Sequence, residues 1–301
     1  MKARDGIQVT EGLQRLALGT AQFGMRYGIA NRQGQVTRSE TAAMLHLAAA
    51  NRIDTIDTAI TYGESETCLG EAGIQGFKVV TKLPAVPEGC KDISSWISQE
   101  VRESLFRLRI GHLYGLLLHC PGQLLGKAGQ ALYDALSDLK SRGVVEKIGV
   151  SIYAPDELES FWDSYTFDLV QTPCNVLDRR IVDSGWLVRL YGQGVEIHVR
   201  SIFLQGLLLM PAAQRPTFVF RWRNIFDVWD RWLAEQQLTP VQVCLRHALS
   251  LSEVAKVVVG VDSQAHLEEI IFCAEGALPP LPSGLCVSDF DLLNPSRWER
   301  N

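Results

Sequence analysis

Asp54-Thr-Ile-Asp57-Thr-Ala-Ile-Thr-Tyr62-Gly63-Glu-Ser65 is the stretch on which the reading of the fold turns. From Ile53 to Asp57 it is short, apolar and β-branched, the composition of a strand. It then opens into a loop carrying a carboxylate, Asp57, and a phenol, Tyr62. A charge at the end of a buried strand is costly unless it is paired, so a partner must come from elsewhere. Gly76-Phe-Lys-Val-Val-Thr-Lys82 reads as another strand and ends on an amine. Tyr114-Gly-Leu-Leu-Leu-His119 reads as a third and ends on an imidazole.

Outward from this stretch the same rhythm repeats. Upstream, Leu16–Thr20 is a strand. Thr37-Arg-Ser-Glu40 is a capping box opening a helix through Ala42, Leu45 and Ala48. Downstream, a short helix over Glu66–Ala72 precedes the strand Phe77–Lys82, and Asp92 or Ser94 caps a helix running to Leu108. Leu113–His119, Lys147–Ser151, Phe167–Gln171, Val195–Arg200 and Val254–Gly260 are the remaining strands. Helices over Leu132–Ser141, Asp156–Phe161 and Ile181–Tyr191 separate them, and Gly143 is a C-terminal cap. A longer insert with Pro211 and Pro216 leads to a helix through Ile225, Val228, Trp229 and Trp232. Thr239-Pro240 opens another, and Ser263–Cys273 is the last.

Eight strand-then-helix units, with strands apolar on both faces, indicate an α/β fold with a parallel sheet. No GxGxxG follows the first strand, which disfavours a doubly wound dinucleotide fold. The expectation is one domain over 1–301, a closed (β/α)8 TIM barrel with an N-terminal extension and a C-terminal tail over its mouth. Active sites on this fold lie at the C-terminal ends of the strands. Asp57, Lys82, His119, Ser151, Gln171 and Arg200 all fall there, with Tyr62 just beyond.

Bulk composition narrows the partners. The chain has 301 residues, 47% hydrophobic and 21% charged, enough for a large core, and a net charge of −5 without a basic run. Nucleic acid and anionic membranes are therefore not the expected partners. Seven cysteines without a CxxC argue against a disulfide framework and a zinc site. No signal-like segment and no run near 20 apolar residues is present. The expected location is the cytoplasm.

An acid, a phenol, an amine and an imidazole make a proton-transfer set. A tyrosine at its ordinary pKa near 10 is a weak acid at neutral pH. An ammonium about 4 Å away contributes about 4 kcal/mol at an effective dielectric of ~20, enough to bring the phenol toward 7. Asp57 would keep Lys82 charged, and His119 would orient a substrate oxygen or relay the proton. Such a set suits an oxygen that gains negative charge as hydride reaches its carbon, and hydride implies a nicotinamide.

These motifs resemble the aldo-keto reductases: Asp57-Thr-Ala, Tyr62-Gly-Glu-Ser-Glu, Thr81-Lys82, Leu-Leu-Leu-His119, Ile-Gly-Val-Ser151, Gln171-x-x-x-Asn175 and Leu238-Thr-Pro-Val-Gln-Val-Cys-Leu-Arg246. The resemblance runs from Leu16 to about Ile271. It implies an eight-stranded barrel binding NADPH in extended form, with small carbonyl or polyol substrates. By the same resemblance Tyr62 donates the proton, Lys82 and Asp57 tune it, and His119 orients the carbonyl. Gly19 and Thr20 would floor the cofactor, and Ser151 and Gln171 would hold its carboxamide. Ser201, Phe203 and Gln205 would belong to the loop over its pyrophosphate, and Gly260, Asp262, His266 and Glu269 to the adenosine end.

Departures from the family pattern sharpen the expectations. Ile152 follows Ser151 where an asparagine is usual, and Arg200 stands where a tyrosine usually stacks on the nicotinamide. A guanidinium plane can also stack on a ring. His266 replaces an arginine that grips the 2′-phosphate, and Ile270 an asparagine that meets adenine. NADP(H) is the family's default, and NAD(H) use stays open. Arg-Ser-Ile-Phe-Leu-Gln-Gly206 resembles a bacterial branch associated with carbohydrate metabolism, which tilts the substrate toward a sugar or polyol. Phe23, Met25, Trp298 and the tail are candidates for the substrate pocket. Two other functions fit the same residues: a barrel isomerase or aldolase with Lys82 as Schiff base, or a redox-sensing subunit that binds cofactor and turns over little.

Overall fold

Eight parallel strands pair in sequence order and close on themselves: β1 Leu16–Gly19, β2 Thr55–Asp57, β3 Lys78–Leu83, β4 Leu113–Leu118, β5 Val145–Ser151, β6 Leu169–Pro173, β7 Glu196–Arg200 and β8 Lys256–Gly260. Closure is direct, since β1 pairs with both β2 and β8. The structure is a computed structural model describing residues 11–298. The expected N-terminal extension, residues 1–10, lies outside them. Register sets what shares a level at the rim: Gly19 pairs with both Asp57 and Gly260, and Ser151 pairs with Gln171.

The helices form where their signals place them. Ile93–Leu108 buries Ile97, Val101, Ser104 and Leu108, a spacing of one helical face, and Asp92 caps it by accepting from Ser95 N at 2.9 Å. Thr239 makes a full capping box with Gln242 ahead of Pro240–Ser250. At Thr37 the box is half made. Thr37 accepts from Glu40 N, while the Glu40 carboxylate accepts from Gln264 N and ties the first outer helix to the last.

Three details differ from expectation. β6 runs two residues later, which places Gln171 in mid-strand. The expected helix over 181–191 breaks at Gly185, φ +79°, into Arg180–Asp183 and Trp186–Gly192. The insert after β7 forms short 3-10 turns before Arg223–Gln236, anchored where Trp229 Nε1 donates to Leu208 O at 3.2 Å. The tail returns to the C-terminal side of the barrel. Val287 N donates to Leu177 O, Trp222 Nε1 donates to Asp289, and the Trp298 ring lies 5.2 Å from Phe218. Among the described residues no helix is long and apolar enough to cross a membrane.

Candidate active site

Lys82, one residue from the end of β3, answers the question of what pairs with Asp57. Its Nζ lies 2.9 and 2.8 Å from the two Asp57 oxygens and 2.8 Å from Thr58 O, so its three protons are all engaged. The lysine is 1% and the aspartate 4% exposed. Burial pulls the ammonium below its ordinary range and the facing carboxylate opposes this. Behind the pair, Gln171 Nε2 donates to Asp57 at 2.6 Å and Ser151 Oγ to Gln171 Oε1 at 3.3 Å.

Tyr62 is positioned by backbone contact. Gly24, in the turn after β1, packs so closely that a Cβ there would collide with Tyr62 O and the amides beyond it. Gly63, φ +55°, returns the contact: its own Cβ would lie 2.5 Å from Gly24 O. Below this, the Ser65 hydroxyl lies 2.9 Å from Thr20 O and Oγ1 and 3.1 Å from Thr58 Oγ1. Glu66, 2% exposed, accepts from Thr81, Ser104 and Arg107 at 2.7–2.9 Å. The loop bearing the phenol is thereby fastened to β1, β3 and the helix Ile93–Leu108.

The electrostatics correct one expectation. Lys82 does not bring the phenol toward 7. Its protons face Asp57 and Thr58, and it lies over the Tyr62 ring at 5.1 Å from the centroid. Burial raises the Tyr62 pKa, the Asp57 charge raises it further, and Arg200 opposes both. His119 follows β4, and its ring centroid stands 6.1 Å from that of Tyr62, edge to face. Burial, then the charges of Lys82 and Arg200, lower it to about 4, so it is neutral at pH 7. Thr61 Oγ1 lies 3.4 Å from its Nδ1.

These groups share one cavity of about 410 Å³ at the C-terminal ends of the strands. Asp57, Tyr62, Lys82 and His119 line it together with Gly19, Thr20, Arg200, Ser201, Phe203 and Gln205. Gly260, Asp262, His266 and Glu269 line it too. Asp262 accepts from Asn31 Nδ2 at 3.3 Å, and burial raises its carboxyl. Two loops meet across the cavity. Gln205 Nε2 donates to Tyr27 OH at 3.4 Å, and a Cβ on Gly206, φ +88°, would lie 2.5 Å from Ala30 Cβ.

Several expected contacts fall elsewhere. Ser151 and Gln171 do not line the cavity, because their polar groups turn inward to the ion pair. Phe23, Met25, Trp298 and the described tail do not line it either. Phe23 is core, and Trp298 packs on the insert and donates to Asp291 O and Leu292 O. Conversely, Tyr27 and Tyr153 line the cavity and sequence reasoning missed both. Tyr153 lies 4.7 Å from the Arg200 guanidinium, ring to charge. Neither follows a helix or strand period, and the Tyr27–Gly28 pair in a glycine-rich loop was the one signal available.

Comparison with known proteins agrees with the barrel. Two aldo-keto reductases, from Mycolicibacterium paratuberculosis and Mycobacterium avium, are each 33% identical over 137 residues, 44% of this chain and 44% of their own length. The match thus spans less than half of those relatives. Among solved structures, the holo aldo-keto reductase AKR11C1 of Bacillus halodurans superposes with a TM-score of 0.70 at 20% identity over 88% of both chains. The glycerol dehydrogenase AKR11B4 of Gluconobacter oxydans gives 0.66 at 21%, again over 88% of both. At those identities the structures show the fold. The aldo/keto reductase family model matches residues 15–280, nearly the whole barrel, and the chain belongs to that family.

Proposed function

We propose that the protein is a nicotinamide-dependent reductase of small carbonyl compounds, with Tyr62 as proton donor. The observation that carries this reading is the buried Lys82–Asp57 pair beneath a protonated phenol, with a neutral imidazole beside it in one cavity. The cavity fits an extended dinucleotide. It is of cofactor-site size, its floor at Gly19 and Gly260 lacks side chains, and two loops meet over it. Gly19, Thr20, Ser201, Phe203 and Gln205 would hold the middle of the cofactor, and Asp262, His266 and Glu269 its adenosine end.

The bound nicotinamide supplies hydride, which protein side chains do not. The chain's residues do the rest. His119, neutral and with Thr61 beside Nδ1, donates from Nε2 to the carbonyl oxygen and fixes its position. Tyr62 keeps its proton at all physiological pH values and releases it only to an oxygen that has become strongly basic. An alkoxide is a stronger base than a phenolate, so the transfer is downhill even from a raised phenol. The Lys82–Asp57 pair acts as a fixed dipole under the ring, held by Gln171 and Ser151.

The far end of the cavity favours NAD(H) over NADP(H). Among the described residues no lysine or arginine lines it, while Asp262 and Glu269 do, with His266 between them in sequence. A 2′-phosphate there would meet like charge, and a free ribose hydroxyl would meet an acceptor. A Schiff-base role for Lys82 is disfavoured by its three engaged protons.

Fluorescence titration with NADH and NADPH tests the reading. Saturable binding with NADH at least 10-fold tighter is expected; no binding of either removes the hydride chemistry. Tyr62→Phe should then lower turnover by about 10²–10⁴-fold with the cofactor Kd within twofold of wild type. A lost Kd would make Tyr62 a structural residue.

A further inference from the structure

The charges lining the cavity are unevenly placed. At the reacting end Lys82 is neutralised by Asp57, and His119 is neutral. Arg200 is the remaining cation, and among the described residues no carboxylate pairs with it. Of its five N–H groups, one on Nη1 donates to Ser201 Oγ at 3.1 Å and one on Nη2 to Ile152 O at 2.9 Å. The Tyr153 ring packs over the guanidinium at 4.7 Å. The fork is thus oriented, part-buried and short of an anion. Its charge acts on Tyr27, Tyr62, Lys82 and His119.

We propose that Arg200, with Tyr27 and Tyr153 beside it, selects substrates carrying an anionic oxygen group, a carboxylate or a phosphate, a few bonds from the reacting carbonyl. With one N–H on each terminal nitrogen engaged, the oriented planar fork keeps its remaining N–H groups for the oxygens of such a group. A neutral substrate would leave the cation unmatched at the reacting end. The alternative, that Arg200 serves the nicotinamide ring, places a cation beside a ring that is itself cationic when oxidised. The proposal rests on the reductase reading above and names its substrate class.

Two substrate pairs test it with the full chain and saturating NADH. The pairs are succinic semialdehyde against its primary amide, and glyceraldehyde 3-phosphate against glyceraldehyde. Wild type should favour at least one anionic member by 10-fold or more in kcat/KM, and the favoured pair tells carboxylate from phosphate. Arg200→Met should lower that ratio by about 10- to 100-fold, the worth of a charge-assisted hydrogen bond or two, and Arg200→Lys should restore part of it. Calorimetry gives a second readout, since succinate should bind the NADH-loaded protein more tightly than succinamide, and the difference should vanish in Arg200→Met. Equal kcat/KM for both members of both pairs in wild type overturns the proposal and leaves the reductase reading standing. So does an Arg200→Met variant that changes the NADH or NAD⁺ Kd but not the substrate ratio. Failure of wild type to bind either cofactor ends both.

Discussion

Replacing Lys82 by methionine keeps an unbranched side chain and removes the charge. Asp57 is then stranded at 4% exposure, with Gln171 Nε2 its remaining side-chain donor. Breaking one side of a buried ion pair costs about 3–5 kcal/mol, and burial this deep calls for no discount for solvent. Across 301 residues an unfolding entropy of about 2.1 cal/mol/K per residue sums to about 0.6 kcal/mol/K, so Tm should fall by about 5–8 °C. Asp57→Asn strands the lysine instead and should cost a similar amount. The double variant removes both charges and keeps an acceptor for Gln171, leaving Thr58 O short of a donor and the new amide N–H groups to find an acceptor. Its loss should therefore be at least 2 kcal/mol smaller than the sum of the singles. Urea unfolding of the four proteins, followed by circular dichroism, gives the cycle. Single losses that add to within about 0.5 kcal/mol would refute the coupling, and with it the view that the pair is one unit. Turnover should stay low in the double variant even though stability returns, because the charged dipole under Tyr62 is gone.

Other outcomes follow from the same geometry. His119 takes up a proton near 6.5 when unfolded and only near 4 when folded. The unfolded chain therefore binds more protons between those values, and stability should fall as pH drops from 6.5 to 4. The ceiling for one histidine is about 3 kcal/mol, reduced because the ring is partly solvated. His247, also held near 4 by burial, adds a fall of the same sign, so the comparison of wild type with His119→Asn in urea at pH 7 and 4.5 isolates the first. An equal slope in both proteins would count against a buried neutral His119. Gly24→Ala should push the Tyr62 loop outward and lower kcat by about 10²-fold. Gly111→Ala, where a Cβ meets nothing within 4 Å, is the control, and equal kcat in the two variants would show that the contact does not position the phenol.

The barrel was legible because its signals are periodic. Apolar strands such as Leu116–Leu118 and Val257–Val259, each followed by a one-faced helix, admit few other arrangements. The four polar residues near strand ends were legible for the same reason, since the strand fixes where each side chain emerges. What escaped was direction. Ser151 and Gln171 stand on neighbouring strands near the same rim as Asp57, yet Ser151 donates to Gln171 and Gln171 donates inward to Asp57, which pairing register and side-chain length decide together. Distance escaped too. Lys82 and Tyr62 are close in space, but three better acceptors claim the ammonium, and the phenol keeps a raised pKa. Tyr153 and Tyr27 lie on loops whose course depends on contacts far along the chain, such as Tyr27 with Gln205.

Glu66 carries a consequence for how such a site can change over generations. The carboxylate sits one residue past Ser65 and ties the Tyr62 loop to Thr81, Ser104 and Arg107. What holds the Tyr62 loop and the Lys82–Asp57 pair from behind thus comes largely from about one continuous sixth of the chain, Asp57 to Arg107, with Thr20, Gly24, Ser151 and Gln171 as outside props. Tyr27, Tyr153 and Arg200, which line the cavity, come from elsewhere, the two tyrosines from loops and the arginine from the end of β7. On the proposed function, substitutions at these three positions alter which molecules are accepted and leave the contacts behind Tyr62 in place. A change at Ser104 or Arg107, on the outer helix and away from the cavity lining, reaches the Tyr62 loop through Glu66. The outer helix Ile93–Leu108 is therefore tied to the proposed proton donor more closely than to the residues proposed to select the substrate.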